Sequence, residues 1–339
     1  MISHNRPTLG KEEEDAALRV IQSNQLSQSH EVESFENEFC NFIGLPNGHA
    51  VALSSGTSSL FVSLWALNGY KKKILFPNYV CSALRHAVGM IQGTEVLVDN
   101  IENSPNLDMQ KVKTSSHDIE IIPHMYGIPI KLTKTNNSSI IEDCCQSLGA
   151  KVNEEFVGLQ GNIGFFSFYA TKLITSGGQG GMIISKNKDL VDKIKDYREF
   201  DMRHDKKKRF NFQMTDLQAA IGREQLKKLP NFIKRREQIF QLYKKEGLNL
   251  LDIKPEEESY LKPVRYRAII QTKKPKQIIE SLKLIDVEAI IPTEDWELLG
   301  NHSYFPNGTK LSQETVSLPI YPSLTNEQIN IILSGLIKK

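Results

Sequence analysis

The stretch SFYATKLITSGGQGGMI, residues 167–183, places Lys172 just ahead of Gly177, Gly178, Gly180 and Gly181. A lysine beside glycines can cradle a nucleotide phosphate, or it can be the reacting amine, and the order of residues separates the two. The P-loop pattern runs glycines first, with the lysine at a helix start followed by Ser or Thr. Here the lysine comes first and Leu173 follows it. The dinucleotide pattern G-x-G-x-x-G opens a helix, whereas these glycines lead into GMIIS (181–185), an apolar strand-like run. Lys172 also follows the apolar run IGFFSF (163–168) and sits among small and apolar neighbours. Desolvation there is expected to lower its pKa and free the amine as a nucleophile, the state a Schiff-base lysine needs. On this stretch alone an exposed loop lysine is the commoner reading.

Working outward, the same texture repeats. HAVAL (49–53), KILF (73–76), EVLV (95–98), IEIIPH (119–124) and SIIED (139–143) join the two runs above as short apolar segments separated by helical stretches. Continuous apolar runs of this length suit strands buried on both faces. Seven of them with helices between imply one α/β sheet, mainly parallel, in a large domain. In such sheets ligands sit beyond the carboxyl ends of the strands. Upstream, residues 9–23 read as an amphipathic helix with acids in its first turn, and residues 31–44 as a second helix ended by Gly44. Residues 213–247 read as long helix interrupted at Pro230. After Gly247 strand, helix and strand alternate, and the last helix starts at Thr325 with Gln328 three residues on, a capping-box signature. The expected division is 1–239 for the large domain and 240–339 for a small α+β C-terminal domain.

Composition narrows the function classes. The formal charge of +2 gives no basic field for nucleic acid or an anionic membrane. No apolar run is long enough to span a bilayer. The polar start MISHNRPTLGKEEED cannot serve as a signal-peptide core. Cys40, Cys81, Cys144 and Cys145 have no zinc-site spacing, so no metal is expected. Free thiols without a disulfide-like framework suit a reducing cytoplasm. Cys144 and Cys145 read as small core residues.

Two further stretches carry chemistry. In VALSSGTSSL (51–60) a buried strand runs into small polar residues and a helix, so Thr57 and Ser58 stand at a helix N-terminus that could bind a phosphate or could merely be capped. In SIIEDCCQSLGA (139–150), Asp143 ends a strand and Gln146 follows one turn later. A buried carboxylate there needs a charged or hydrogen-bonding partner, such as a protonated ring nitrogen; a plain helix cap is the alternative. Taken together, a phosphate turn, then a strand-end aspartate, then a lysine 29 residues later is the order of the pyridoxal phosphate enzymes of the aspartate aminotransferase fold.

At this point the chain resembles the DegT/StrS-type aminotransferases, which mostly transfer an amino group to keto sugars attached to nucleotides. FENEFCNFIG, SSGTSSL, EDCCQSLGA, SFYATK, FNFQMTDLQAAIGREQLKKL and LPIYPSLT match six family motifs in order. The resemblance implies fold type I of the pyridoxal-phosphate-dependent transferases, with a seven-stranded sheet. It also implies pyridoxal 5'-phosphate as cofactor, glutamate as donor, and a homodimer with active sites at the subunit interface. Lys172 would be the Schiff-base lysine and proton shuttle, and Asp143 would keep the pyridine nitrogen protonated. Gln146 would touch the ring hydroxyl region. Thr57, Ser58 and Ser167 would bind the phosphate, and Asn211 would reach the phosphate in the neighbouring subunit. Cys81 stands where the family commonly stacks an aromatic residue on the ring; Tyr79, the nearest aromatic, is expected to pack inward. Gln213 replaces an arginine, Ser29 a glycine, and GGQGG is one residue longer than the usual G-E-G-G and lacks its acid.

Three features remain. The basic run KKKR (206–209) is either a solvated loop or an attractor for a substrate diphosphate. His124 matches a family histidine, in a structural or a substrate-binding role. The glycines let the chain turn tightly into the next strand. The function expected is a cytoplasmic aminotransferase acting on a nucleotide-linked keto sugar. The alternatives are the same fold acting on a non-sugar carbonyl compound, and a non-catalytic cofactor-binding regulator.

Overall fold

The computed structural model describes residues 1–133 and 138–337. The first half of the chain alternates strands and helices: α1 (Lys11–Ser23), α2 (His30–Ile43), β1 (Ala50–Leu53), α3 (Gly56–Ala66), β2 (Lys73–Pro77), α4 (Ala83–Met90), β3 (Thr94–Val98), α5 (Met109–Thr114), β4 (Ile119–Pro123) and β5 (Ser139–Asp143). Then come the two-residue strands β6 (Lys151–Val152) and β7 (Glu155–Phe156), followed by β8 (Ile163–Ser167), β9 (Gly181–Ile184), α6 (Lys188–Arg198) and α7 (Asp216–Lys245). The C-terminal part holds β10 (Leu261–Lys262), β11 (Ala268–Gln271), α8 (Pro275–Lys283), α9 (Pro306–Gln313), β12 (Thr315–Leu318) and α10 (Asn326–Ile337).

The seven apolar runs read from the sequence become one sheet of order β1-β9-β8-β5-β4-β2-β3. From β8 to β3 the neighbours are parallel, and β9 alone runs against both of its neighbours. The carboxyl ends of β1, β2, β4, β5 and β8 therefore share one edge, and the site forms there. Apolar side chains are buried on both sheet faces, as the unbroken hydrophobic runs demand. One face packs Phe35 and Phe39 of α2 against Phe166 and Phe168, with ring centroids 5.0–5.2 Å apart for Phe39–Phe166 and Phe35–Phe168. Each such pair is worth about 0.5–1.5 kcal/mol beyond its buried area.

Local chemistry sets the helix ends. The Gly10 N–H donates to the Glu13 carboxylate at 2.7 Å, opening α1 where the sequence placed acids. Gly44, at φ +81°, closes α2. Asp216, at the start of α7, accepts from the N–H groups of Ser29, Glu31 and Val32, so one helix supplies the cap of another. Thr325 and Gln328 exchange hydrogen bonds of 3.0 and 3.2 Å at the start of α10, as the capping box predicts.

One expectation fails here. Pro230 does not interrupt the long helix: α7 runs unbroken from Asp216 to Lys245. The proline removes a single N–H donor, while Leu226, Leu229, Phe232, Ile239 and Phe240 stay buried along the helix and hold it in place. The end of α7 carries Ile239, Phe240 and Tyr243 into a separate apolar cluster with residues of β11, β12, α8 and α10. Ile2 joins the same cluster and bridges to Val287, so the start of the chain packs with its end.

Candidate active site

Five strand-end segments enclose a cavity of about 220 Å³. Thr57, Cys81, Asp143, Gln146, Ser167 and Lys172 all line it. Six of the eight residues read as catalytic or cofactor-binding thus converge, although they span more than a hundred positions of chain, and His124 lines the same cavity.

The remaining two do not line it. Ser58 faces away: its hydroxyl bonds with the Ser55 N–H (3.0 Å) and the Ser55 carbonyl (2.8 Å), while its own N–H donates to the Ser55 hydroxyl. The residue read as a phosphate ligand is spent on the capping box that starts α3. Asn211 is exposed, outside this chain's cavity, with its side-chain oxygen accepting from the Gln213 N–H at 3.1 Å.

One end of the cavity depends on close backbone approach. A Cβ on Gly56 would lie 2.8 Å from Ser167 Cβ, so only glycine lets the α3 N-terminus meet the end of β8. Gly56 and Thr57 of that first turn line the cavity with Ser167, and backbone N–H groups and hydroxyls so gathered at a helix N-terminus can hold an anion. The glycine run serves the same contact. A Cβ on Gly181 would lie 2.4 Å from the Ser55 carbonyl oxygen.

Asp143 closes β5 and is 8% exposed. Its carboxylate accepts from the Cys145 N–H at 2.9 Å. Burial pushes its pKa above the usual carboxylate value, with that backbone bond and the charge of Lys172 opposing incompletely. The adjacent Glu142 points to the other face and is satisfied throughout. It accepts from His124 Nε2 (3.0 Å) and from the N–H groups of Gly158, Gln160 and Gly161 (2.7–2.9 Å). Burial would raise its pKa, but these donors bring it below the usual value. The Ile130 N–H donates to His124 Nδ1 at 3.0 Å, so the Nε2 of the histidine carries the proton given to Glu142. His124, Glu142 and Cys144 place ligand-type atoms within 4.8 Å of one another. The imidazole lone pair and the Glu142 oxygens are already taken by these donors, so the cluster is a hydrogen-bonded brace.

Gln146 is held by its neighbours, accepting from the Tyr126 N–H at 2.8 Å. Tyr126 adopts φ +58°, a conformation that costs energy for a side chain of this size. The Tyr79 and Tyr126 hydroxyls lie 2.7 Å apart, which pins it. Tyr79 is fully buried, as expected, and Cys81 is exposed.

Lys172 departs from expectation. It lies in the bend after β8 and is half-buried. Burial does push its amine down, but the neighbouring Tyr266, Cys145 and Asp143 outweigh this, and its pKa lies above the ordinary lysine value. Cys145 departs too: Cys144 is core, as read, but Cys145 lines the cavity. Burial, followed by Asp143, holds the Cys145 thiol well above its usual pKa, so it stays protonated. Tyr169, which was not singled out, also lines the cavity, as does Gln179 of the GGQGG run. In the basic run, Lys207 and Arg209 pair with Asp196, and Arg209 also with Asp205, leaving Lys206 and Lys208 exposed.

Comparisons with known proteins fit this arrangement. UDP-4-amino-4,6-dideoxy-N-acetyl-beta-L-altrosamine transaminase of Campylobacter jejuni is 30% identical over 73% of this chain and 69% of its own. GDP-perosamine synthase of Escherichia coli O157:H7 is 26% identical over 98% of this chain and 96% of its own. The solved structure of the aminotransferase TlmJ from Streptoalloteichus hindustanus superposes with a TM-score of 0.90 at 20% identity, over 99% of this chain and 98% of that one, which supports the fold. The family model described as the DegT/DnrJ/EryC1/StrS aminotransferase family matches residues 7–336, and the chain belongs to that family of aminotransferases.

Proposed function

We propose that this aminotransferase binds pyridoxal 5'-phosphate in the strand-edge cavity and moves an amino group from glutamate to a nucleotide-linked keto sugar. The observation that carries the reading is the joint lining of one cavity by Lys172, Asp143, Gln146, Thr57 and Ser167. The residues fit the cofactor. Asp143 is a buried carboxylate whose pKa stays raised despite Lys172, a burden that a protonated pyridine nitrogen would offset, and the close approach of Gly56 to Ser167 suits a phosphate. The names of the relatives, a GDP-sugar synthase and a UDP-sugar transaminase, support the sugar class.

When bound, the cofactor supplies an electron-withdrawing ring next to the carbon that loses a proton. The protein does the rest. Asp143 would hold a proton on the ring nitrogen. The Thr57 and Ser167 hydroxyls would donate to the phosphate, with Ser58 keeping the turn in shape. Gln146, fixed by Tyr126, would face the ring hydroxyl, and Cys81 would cover a ring face with less area than an aromatic residue gives. Lys172 Nζ would carry the cofactor at rest and take and return the substrate proton during turnover. We further propose a homodimer in which Asn211 serves the partner's phosphate, with residues 240–339 as the small domain. Purified protein loaded with pyridoxal phosphate should absorb in the near-visible and bleach with glutamate. The colour should return with a nucleotide-linked keto sugar and not with a non-sugar carbonyl panel. A colourless protein that takes up no cofactor contradicts the reading.

A further inference from the structure

Beneath Lys172, away from the cavity, lies a buried group that the expected catalytic set does not include. Tyr266 is 4% exposed, and Lys172 Nζ stands 5.4 Å from the centre of its ring. The surrounding charges are unbalanced. Arg267 places its guanidinium carbon 5.5 Å from the same ring. Arg236, fully buried in α7, donates to the carbonyls of Arg265, Tyr266 and Ile320. Arg267 bonds to His4 Nε2 and the Ser317 hydroxyl. None of these described contacts of Arg236 and Arg267 is with a carboxylate. Facing the ring are Lys172 from the bend after β8, Arg236 from α7, Arg267 beside β11, and His4 from the N-terminal segment, and Arg6 of that segment lines a small cavity together with Lys172 and Arg236. Asp143, Cys145 and Cys81 approach the amine from the cavity side.

We propose that Tyr266 is a positioning residue for Lys172, a buried ring and phenol that hold the amine in place and set its affinity for a proton. The inference rests on Lys172 being the reacting lysine. A cation is drawn to a ring face even without a formal charge opposite it, and a phenol among three cations is drawn towards ionisation. The two groups respond to each other accordingly. Burial alone would raise the Tyr266 pKa, yet Lys172, Arg267 and Arg236 bring it below the ordinary tyrosine value. Tyr266 is in turn the first of the groups that raise Lys172 against its burial. The lysine is thereby kept charged and anchored in the free protein rather than released as a loose neutral amine.

The test uses the full chain freed of cofactor, with acetic anhydride as probe and mass spectrometry of the Lys172 peptide as readout across neutral to alkaline pH. Tyr266→Phe keeps the ring and removes the phenol, so the midpoint of the Lys172 rate profile should move to lower pH. At any pH below both midpoints, the rate should rise about tenfold for each pH unit by which the midpoint falls. Tyr266→Leu, which removes the ring as well, should move it further. An unchanged profile in the folded Phe variant overturns the proposal. Lys172→Met supplies the reciprocal measurement, by ultraviolet titration of the tyrosines. The Tyr266 phenol should ionise at higher pH in that variant than in the wild type, and no difference overturns the proposal even if the Phe variant fails to fold. A protein that shows these changes but no amino transfer would sink the functional reading, while the coupling between Tyr266 and Lys172 would stand.

Discussion

Glu142 and Asp143 are consecutive residues at the end of β5, both carboxylates and both buried, yet their surroundings are opposite. Glu142 collects His124 and three backbone N–H groups on one face of the sheet. Asp143, turned to the other face by strand alternation, has the Cys145 N–H and an open cavity. Their pKa values move in opposite directions as a result, Glu142 down and Asp143 up. A carboxylate saturated by its own protein is a brace. One buried without enough donors keeps a raised pKa and can take a positive ligand.

The comparison can be broken experimentally. The largest effect expected is at the neighbouring lysine: Lys172→Ala should lower turnover by at least about 10⁴-fold in a single-turnover assay while leaving the thermal midpoint near wild type. Glu142→Gln should be the most damaging of the paired changes for stability, by about 3–5 kcal/mol in urea unfolding, because it strips the partner from a buried network. Its sign with pH is fixed by the depressed pKa: the stability from Glu142 is present above its unfolded value of 4.5 and is lost as pH falls through the folded value. The wild type should therefore lose more stability than the Gln variant below pH 4.5. Acid sensitivity beginning at higher pH belongs to His4. Burial, with Arg267 and Arg236, lowers it from 6.5 to about 3, so its stabilisation fades as pH falls between those values.

Asp143→Asn should behave in the reverse way. The raised pKa means an ionised Asp143 burdens the ligand-free fold at neutral pH, so the variant should be at least as stable in thermal melts. Cofactor affinity, by equilibrium dialysis, should weaken by about 2–5 kcal/mol. If Asp143→Asn destabilises the ligand-free protein as much as Glu142→Gln does, the contrast between brace and ligand fails. The smallest effect is expected at the tyrosine pair. Tyr79→Phe should cost about 1 kcal/mol of stability and loosen Gln146 through Tyr126, read as a higher cofactor dissociation constant.

The large sheet was legible because each strand is a continuous apolar run, and the gathering of Thr57, Asp143 and Lys172 in one cavity because each ends or follows one of those runs. What escaped depends on long-range contacts. Ser58 could not be separated from Thr57 until the capping box fixed which hydroxyl turns back. Pro230 breaks a helix in isolation, and only buried neighbours on both sides show why α7 continues. The raised pKa of Lys172 was unreadable because Tyr266 belongs to a distant segment, so burial was visible in the sequence and the counter-charge was not.

The central claim is that Lys172 is the residue that carries pyridoxal phosphate. Borohydride reduction of the loaded protein, followed by peptide mass spectrometry, tests it most directly. The account predicts a pyridoxyl group on the peptide containing Lys172 and its disappearance in Lys172→Ala. A pyridoxyl group on another lysine, or none on the Lys172 peptide of a fully loaded protein, would contradict it.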